Sequence, residues 1–267
     1  MKSIVILSLV LAIKAEQISE DLAKGIENRG TMTRVVPGSM AKPGQFPYMV
    51  ALVLDYYRIV CSGAIVGKKW VLTAAHCVPR LPRLPRPPSN YAHQRAFILA
   101  GTNDVKNATI RHLIEKFITH GRYIPGFPFH YDMALAKLKE PLHYNQYVRK
   151  IRISPRIIGE GTNATLAGFG RYDNQGNKGK LHWTDVRVMS NEECRKTNAF
   201  HDDDLEMCAV NNTVGGCNGD AGSPLVRKKL IVGVLYYGAG LCGSGIPDGY
   251  VRVSYHYAWI QRIMKTF

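Results

Sequence analysis

No stretch of this 267-residue chain approaches the roughly 20 apolar residues that a membrane-spanning helix requires. The one apolar run near the start, Ile4 to Ile13, is half that length. It follows Met1-Lys2 and is followed by small Ala15, which reads as a secretory signal peptide over residues 1–15. The six cysteines, Cys61, Cys77, Cys194, Cys208, Cys217 and Cys242, contain no C-x-x-C pair, which argues against a zinc-binding pattern. An even, widely spaced set suits three disulfides and therefore an oxidising compartment. Acidic residues are scarce, 20 against 35 Lys plus Arg, for a net charge of +15. No repeat of fixed period is present, and none of the nine histidines forms a ligand-spaced pair. With 46% hydrophobic and 21% charged residues the chain is not of the disordered class. Its length permits one large domain or two small ones.

Residues 16–34 are polar and mixed in charge, and read as a pro-segment. From Val35 to Phe267 the texture changes to short β-rich runs broken by Gly, Pro and Asn, among them Tyr48–Leu54, Trp70–Leu72, Ala96–Leu99, Ala164–Ala167 and Leu230–Leu235. Many short strands between turn signals predict an all-β sandwich or barrel. Only the end looks helical, where Trp259, Ile260, Ile263, Met264 and Phe267 share one face at 3.6-residue spacing. A strand-poor stretch at about 142–160 links two halves. Sequons at Asn107, Asn163 and Asn211 are candidate glycan sites. The segment Pro79–Pro88 sets Arg80, Arg83 and Arg86 three apart among five prolines, so a polyproline II turn aligns them on one edge.

Three short motifs bear on chemistry: Thr73-Ala-Ala-His-Cys77, Asp132-Met-Ala-Leu135 and Gly219-Asp-Ala-Gly-Ser-Pro224. In this order, in an all-β chain, they resemble the trypsin/chymotrypsin family of serine endopeptidases. Arg34-Val35-Val-Pro-Gly38, Gly168-Phe-Gly170 and Tyr250-Val-Arg-Val253 extend the resemblance over residues 35–267. The resemblance implies two six-stranded antiparallel Greek-key barrels, at about 35–141 and 161–254, with a C-terminal helix at about 255–267. It also implies the pairings Cys61–Cys77, Cys194–Cys208 and Cys217–Cys242.

A serine hydroxyl attacks a carbonyl only when an imidazole takes its proton and a buried carboxylate orients that imidazole. The resemblance assigns the last two roles to His76 and Asp132. At the nucleophile position stands Ala221, which has no group to attack with. In proteases of this kind, loss of the serine costs about 10⁶ in kcat. The oxyanion-hole amides map to Gly219 and Ala221, and the specificity pocket to Gly215, Tyr236, Gly238 and Asp248. Gly215 stands where trypsins carry an aspartate, and Asp248 on the facing wall is either a replacement carboxylate or a plug. Tyr236 replaces a small serine, so its ring is expected to intrude on the cleft. Ser223 is too far displaced to serve as a substitute nucleophile. Arg34, Val35 and Asp220 match the activation switch, in which a freed apolar N-terminus pairs with the buried aspartate. No cofactor motif and no metal site emerges. Gly101–Asn107 is too poor in acids for a calcium loop, and His201–Asp204 reads as solvated surface.

The expected function is a secreted, monomeric, proteolytically inactive homologue that binds protein partners. Catalytically dead paralogues of this kind occur in parasitic mites, related to mite group 3 allergens, and interfere with host complement. Without residues 1–34 the chain still carries 30 basic against 16 acidic residues, which favours an acidic protein, a complement component or a glycosaminoglycan over nucleic acid as partner. Two alternatives stay open. One is an active endopeptidase whose nucleophile is altered in this chain, and the other is a decoy for protease inhibitors. Docking is expected at the Arg80–Arg86 ridge rather than in the cleft.

Overall fold

A computed structural model describes residues 38–54, 58–78, 96–126, 129–173, 175–198, 200–238 and 242–267. Residues 1–37, with the signal and pro-segment readings and with Arg34 and Val35, lie outside the described residues, as does the ridge of Arg80, Arg83 and Arg86. All described residues belong to one unit, Val35–Phe267.

Strands β2 (Met49–Leu54), β3 (Arg58–Gly67), β4 (Trp70–Thr73), β5 (Ala96–Ala100), β6 (Arg111–Thr119) and β7 (Ala134–Leu138) close a barrel in the order β2-β3-β4-β7-β6-β5. All six residues of β2 are buried, and its two faces serve different cores. Val50 and Leu52 point into the barrel with Ile65, Ile98 and Leu138. Met49, Ala51 and Val53 face outward onto Phe169 and Leu181 of the other half. A continuous apolar run with period-two division of labour is what a strand buried on both faces requires.

The second barrel takes β9 (Asn163–Gly168), β10 (His182–Val188), β11 (Glu206–Val210), β12 (Pro224–Arg227), β13 (Leu230–Tyr237) and β14 (Asp248–Arg252). Its strands run β9-β10-β11-β14-β13-β12 and return to β9. Two short strands are added to it: β1 (Ser39–Met40) on β10, and β8 (Arg152–Ile153) in parallel on β13. The two-barrel architecture implied by the resemblance is thus present. The segment 142–160, read as strand-poor, contributes β8, and residues 39–40 belong to the second sheet rather than the first.

Helix α1 (Asn191–Thr197) opens with a capping box in which Ser190 and Glu193 satisfy each other's backbone amides. Helix α2 (Val253–Thr266) buries Val253, His256, Ile260 and Ile263. Val253, Ile260 and Ile263 join Leu72 and Leu135 of the first barrel and Val234 and Val251 of the second in one cluster. Phe267, expected on that face, is instead half exposed, with the Lys116 ammonium over its ring at 4.3 Å. The β12–β13 connection is a two-residue turn, Lys228-Lys229, with φ of 47° and 62°. Asn-Gly is the usual occupant of such a turn, because positive φ costs roughly 1–2 kcal/mol for each non-glycine residue.

The three disulfides pair Cys61–Cys77, Cys194–Cys208 and Cys217–Cys242. Of the sequons, Asn107 and Asn163 are exposed. The Asn211 amide donates to the Asp185 carbonyl at 2.8 Å and is less free to carry a glycan.

Candidate active-site cleft

His76 and Asp132 both come from the first barrel. His76 sits in a one-turn 3₁₀ helix, Ala75–Cys77, directly after β4, and Asp132 precedes β7. Strands β4 and β7 pair with Thr73 opposite Ala134, which brings the two side chains together. Asp132 Oδ2 lies 2.6 Å from His76 Nδ1, and its Oδ1 accepts the His76 backbone amide at 2.8 Å. The carboxylate is fully buried, while the imidazole remains partly open to the cleft. Asp132 is aimed by an unusual neighbour: Tyr131 has φ of 58°, stacks on His120 at 4.9 Å and accepts a hydrogen bond from Arg122.

Ala221 lies in a tight turn of the second barrel. Asp220 N donates to Cys217 O and Ser223 N to Asp220 O, each at 2.8 Å. Gly222, with φ of 84°, has no alternative. A Cβ there would stand 2.2 Å from both the Ser62 carbonyl and Thr73 Oγ1. The turn is fastened to β3 of the first barrel by one residue: Ser62 N donates to Ala221 O at 2.8 Å, and Ser62 Oγ donates to Gly219 O at 3.0 Å. Ser62 Oγ also accepts the Phe169 amide at 3.0 Å.

A cavity of about 490 Å³ opens beside His76 and Ala221 and continues past Gly216, Gly238 and the Cys217–Cys242 disulfide. Among the described residues, no side chain lining it carries a hydroxyl or a free thiol. Ser223 is not one of them. It is fully buried, and its Oγ faces Gly168, where an added Cβ would lie 2.7 Å away.

The Asp248 carboxylate is buried behind Gly216, one of the residues that line this cavity. Its Oδ2 accepts the Gly216 amide at 2.6 Å and lies 2.9 Å from where a Cβ on Gly215 would be. A side chain at position 215 would collide with it, so the two positions have room for one carboxylate between them.

Tyr236 corrects the expectation of an intruding ring. It is buried, its hydroxyl donates to Glu206 Oε2 at 3.1 Å, and its ring lies over Gly249, where an added Cβ would be 2.9 Å away. The cause is local. The β13–β14 register shifts between Leu235 and Tyr237, and the side chain at 236 turns inward toward a buried acceptor. Phe129 bridges the two sides, with ring centroids 6.1 Å from His76 and 6.4 Å from Tyr236.

Glu206 was not singled out from the sequence. It is a buried acid in β11 that also meets His130 Nδ1 at 2.8 Å and His201 Nδ1 at 3.5 Å. The available signal was a lone acid between Leu205 and Met207-Cys208, because an unpaired charge in a buried strand is costly. Of His201–Asp204, read as solvated surface, Asp203 and Asp204 are exposed, and the correction concerns His201. His201 is buried, Asp202 accepts the amides of Asp204 and Leu205, and Asp203 pairs with Arg195.

Asp220 turns away from the cleft into a smaller cavity of about 40 Å³ lined also by Gly38 and Gly168. Its carboxylate accepts the Gly170 amide at 2.7 Å and the Cys217 amide at 3.0 Å. Burial pushes its pKa up to about 6, against the pull of those amides and of Lys178. His256, on α2, shifts the other way. Burial and the nearby His120 lower it to about 4, and its Nε2 has no hydrogen-bond partner. Two Cys/His groupings, Cys61-His76-Cys77 and Cys194-His201-Cys208, are close enough to hold a metal, but their sulfurs are spent in disulfides.

The family model described as Trypsin matches residues 35–260, and the chain belongs to the trypsin family of serine proteases. It is similar to serine protease SP24D of Anopheles gambiae, at 34% identity over 236 residues, covering 88% of this chain and 82% of that one. It is also similar to the clotting factor G beta subunit of Tachypleus tridentatus, at 27% identity over 257 residues, covering 88% and 81%. Its fold resembles that of neuropsin, a serine protease expressed in the limbic system of mouse brain. There the TM-score is 0.75 at 24% identity, covering 85% of this chain and 98% of that one.

Proposed function

We propose that this chain is a secreted, proteolytically inactive member of the trypsin family that works as a binding scaffold for protein partners. The observation that carries this reading is Ala221. It stands in the nucleophile turn beside an intact His76–Asp132 pair, in a cavity whose described lining has no hydroxyl. A base with nothing to deprotonate does not generate an acyl-enzyme. Its partners are an acidic protein, with interference in a complement or clotting cascade as the consequence, and kinship with the inactivated mite paralogues belongs to the same reading. One of its relatives is by name a clotting factor subunit. With Tyr236 turned inward, the cleft is not blocked as expected, so docking at Arg80, Arg83 and Arg86 now rests on charge alone.

The test is a fluorophosphonate probe on chain cleaved after Arg34. No labelling is expected, and labelling of the unaltered chain means an active endopeptidase and sinks the reading.

Asp248 favours a second reading, the inhibitor decoy. A carboxylate held on the Gly216 amide, next to the cavity lining, suits the Lys or Arg head of a protease inhibitor. Binding of p-aminobenzamidine that is lost in Asp248→Gly supports it, whereas no binding makes Asp248 a plug.

A further inference from the structure

On the side of the second barrel where β8 meets β13, the chain gathers cations at considerable conformational cost. Leu230 and Ile231 of β13 pair in parallel with Arg152 and Ile153 of β8, so the Lys228-Lys229 turn sits at the end of this ladder. Lys150, Arg152, Arg156, Lys228 and Lys229 are all exposed. Among the described residues none of the five forms an ion pair. Arg152 and Lys150 flank a groove of about 430 Å³ that runs between β8 and α2, and none of its described lining is acidic.

Both turn lysines hold positive φ, a conformation that Asn-Gly adopts with less strain. An outlier of this kind points to a role outside folding. Ile151 and Ile153 are buried in the floor, and the exposed side chains of the described lining are Lys150, Arg152, Pro155 and Gln261. Protein interfaces draw most of their affinity from buried anchors. A densely charged linear polymer instead gains by releasing its counterions onto fixed cations. The disulfides place the chain in a compartment where sulfated glycans are the abundant polymer of that kind.

We propose that the ridge of Lys228, Lys229, Arg152 and Lys150 is a docking site for a sulfated glycosaminoglycan. It lies apart from the cleft and does not depend on whether Ala221 abolishes proteolysis.

The experiment measures anisotropy of a fluorescent heparin oligosaccharide with the disulfide-intact chain between 0.05 and 0.3 M NaCl, roughly the range over which such contacts weaken. The variant Lys228→Asn/Lys229→Gly keeps the turn in its preferred composition, so loss of fold is not expected, and an unchanged melting curve checks this. The dissociation constant should rise at least about 10-fold and the log–log salt slope should shrink by roughly two, one per cation removed. Arg152→Gln should weaken binding further. Unchanged affinity in the turn variant overturns the proposal. So does abolition of binding by Arg80→Gln/Arg83→Gln/Arg86→Gln alone, which should lose less than the turn variant. Poly-glutamate should bind at least about 10-fold more weakly than heparin. Equal binding makes the partner an acidic protein and overturns the assignment to a glycan.

Discussion

The first barrel brings a paired His76 and Asp132 to the cleft, and the second barrel brings Ala221, without a hydroxyl, where the resemblance places the nucleophile. His76 and Asp132 keep a 2.6 Å contact, the Cys61–Cys77 bridge ties down the histidine turn, and Tyr131 is held at positive φ to present the carboxylate. The departures that bear on the cleft, Ala221, Gly215 with Asp248, and Tyr236, lie in the second barrel. Asp132 is also structural, since it accepts a backbone amide just ahead of β7, a strand of the closed sheet. Residues that hold a fold together resist change after chemistry is gone, and those that only touch a substrate do not.

The largest effect that bears on this contrast is a restored hydroxyl. If only the second barrel has lost its part, Ala221→Ser on chain cleaved after Arg34 should raise hydrolysis of a lysine ester by roughly 10³-fold or more, out of the ~10⁶ that a complete triad supplies. A reversion that stays silent in a folded chain shifts the defect to the pocket and the activation switch.

Two buried groups, Asp220 of the second barrel and His256 of the C-terminal helix, should also answer pH with opposite sign. Asp220 titrates near 6 in the fold and near 4 unfolded, so the fold holds the proton more tightly. Its contribution is present below about pH 4 and drains away as pH rises through 6, about 3 kcal/mol. His256 stays neutral in the fold down to about 4, whereas the unfolded side chain takes its proton near 6.5. Its contribution is complete above 6.5 and is lost as pH falls toward 4, again about 3 kcal/mol. Urea unfolding of Asp220→Asn and His256→Gln across pH 4–7 should separate the two slopes, and parallel curves in both variants would contradict the assignment.

Smaller is the pocket effect, where Asp248→Gly should weaken p-aminobenzamidine by about 10-fold or more, the size of one charge-assisted contact. Smallest is the arginine ridge. Arg80→Gln/Arg83→Gln/Arg86→Gln should lower affinity for an acidic protein partner by a few-fold and flatten its salt dependence without moving the melting temperature. Unchanged binding by that variant would move the docking site to the cleft.

The barrels were legible where a strand is a short apolar run closed by turn residues, and five such runs match β2, β4, β5, β9 and β13 closely, whereas β6 and β10 mix charged with apolar residues. Strands β1 and β8 were not, since two residues carry no periodicity and form only because a neighbouring strand offers its edge. His76, Asp132 and Ala221 were legible because each sits in a compact local motif. The direction of Tyr236 was hidden. It depends on a register shift against β14, on the space over Gly249 and on a buried acceptor at Glu206, which are three facts about distant chain segments. The paired use of Asp248 with the Gly216 amide was hidden for the same reason.

Ser62 shapes the evolutionary options of this chain. Because it clasps the backbone at Gly219 and Ala221, the geometry of that turn is held by main-chain contacts and not by the side chain at 221. Exchanging the side chain at 221 therefore leaves the surrounding scaffold undisturbed, and descent can pass through that exchange in either direction by a single substitution. A lineage with such a clasp can shed hydrolysis while keeping the means of regaining it, long after an unclasped loop would have wandered.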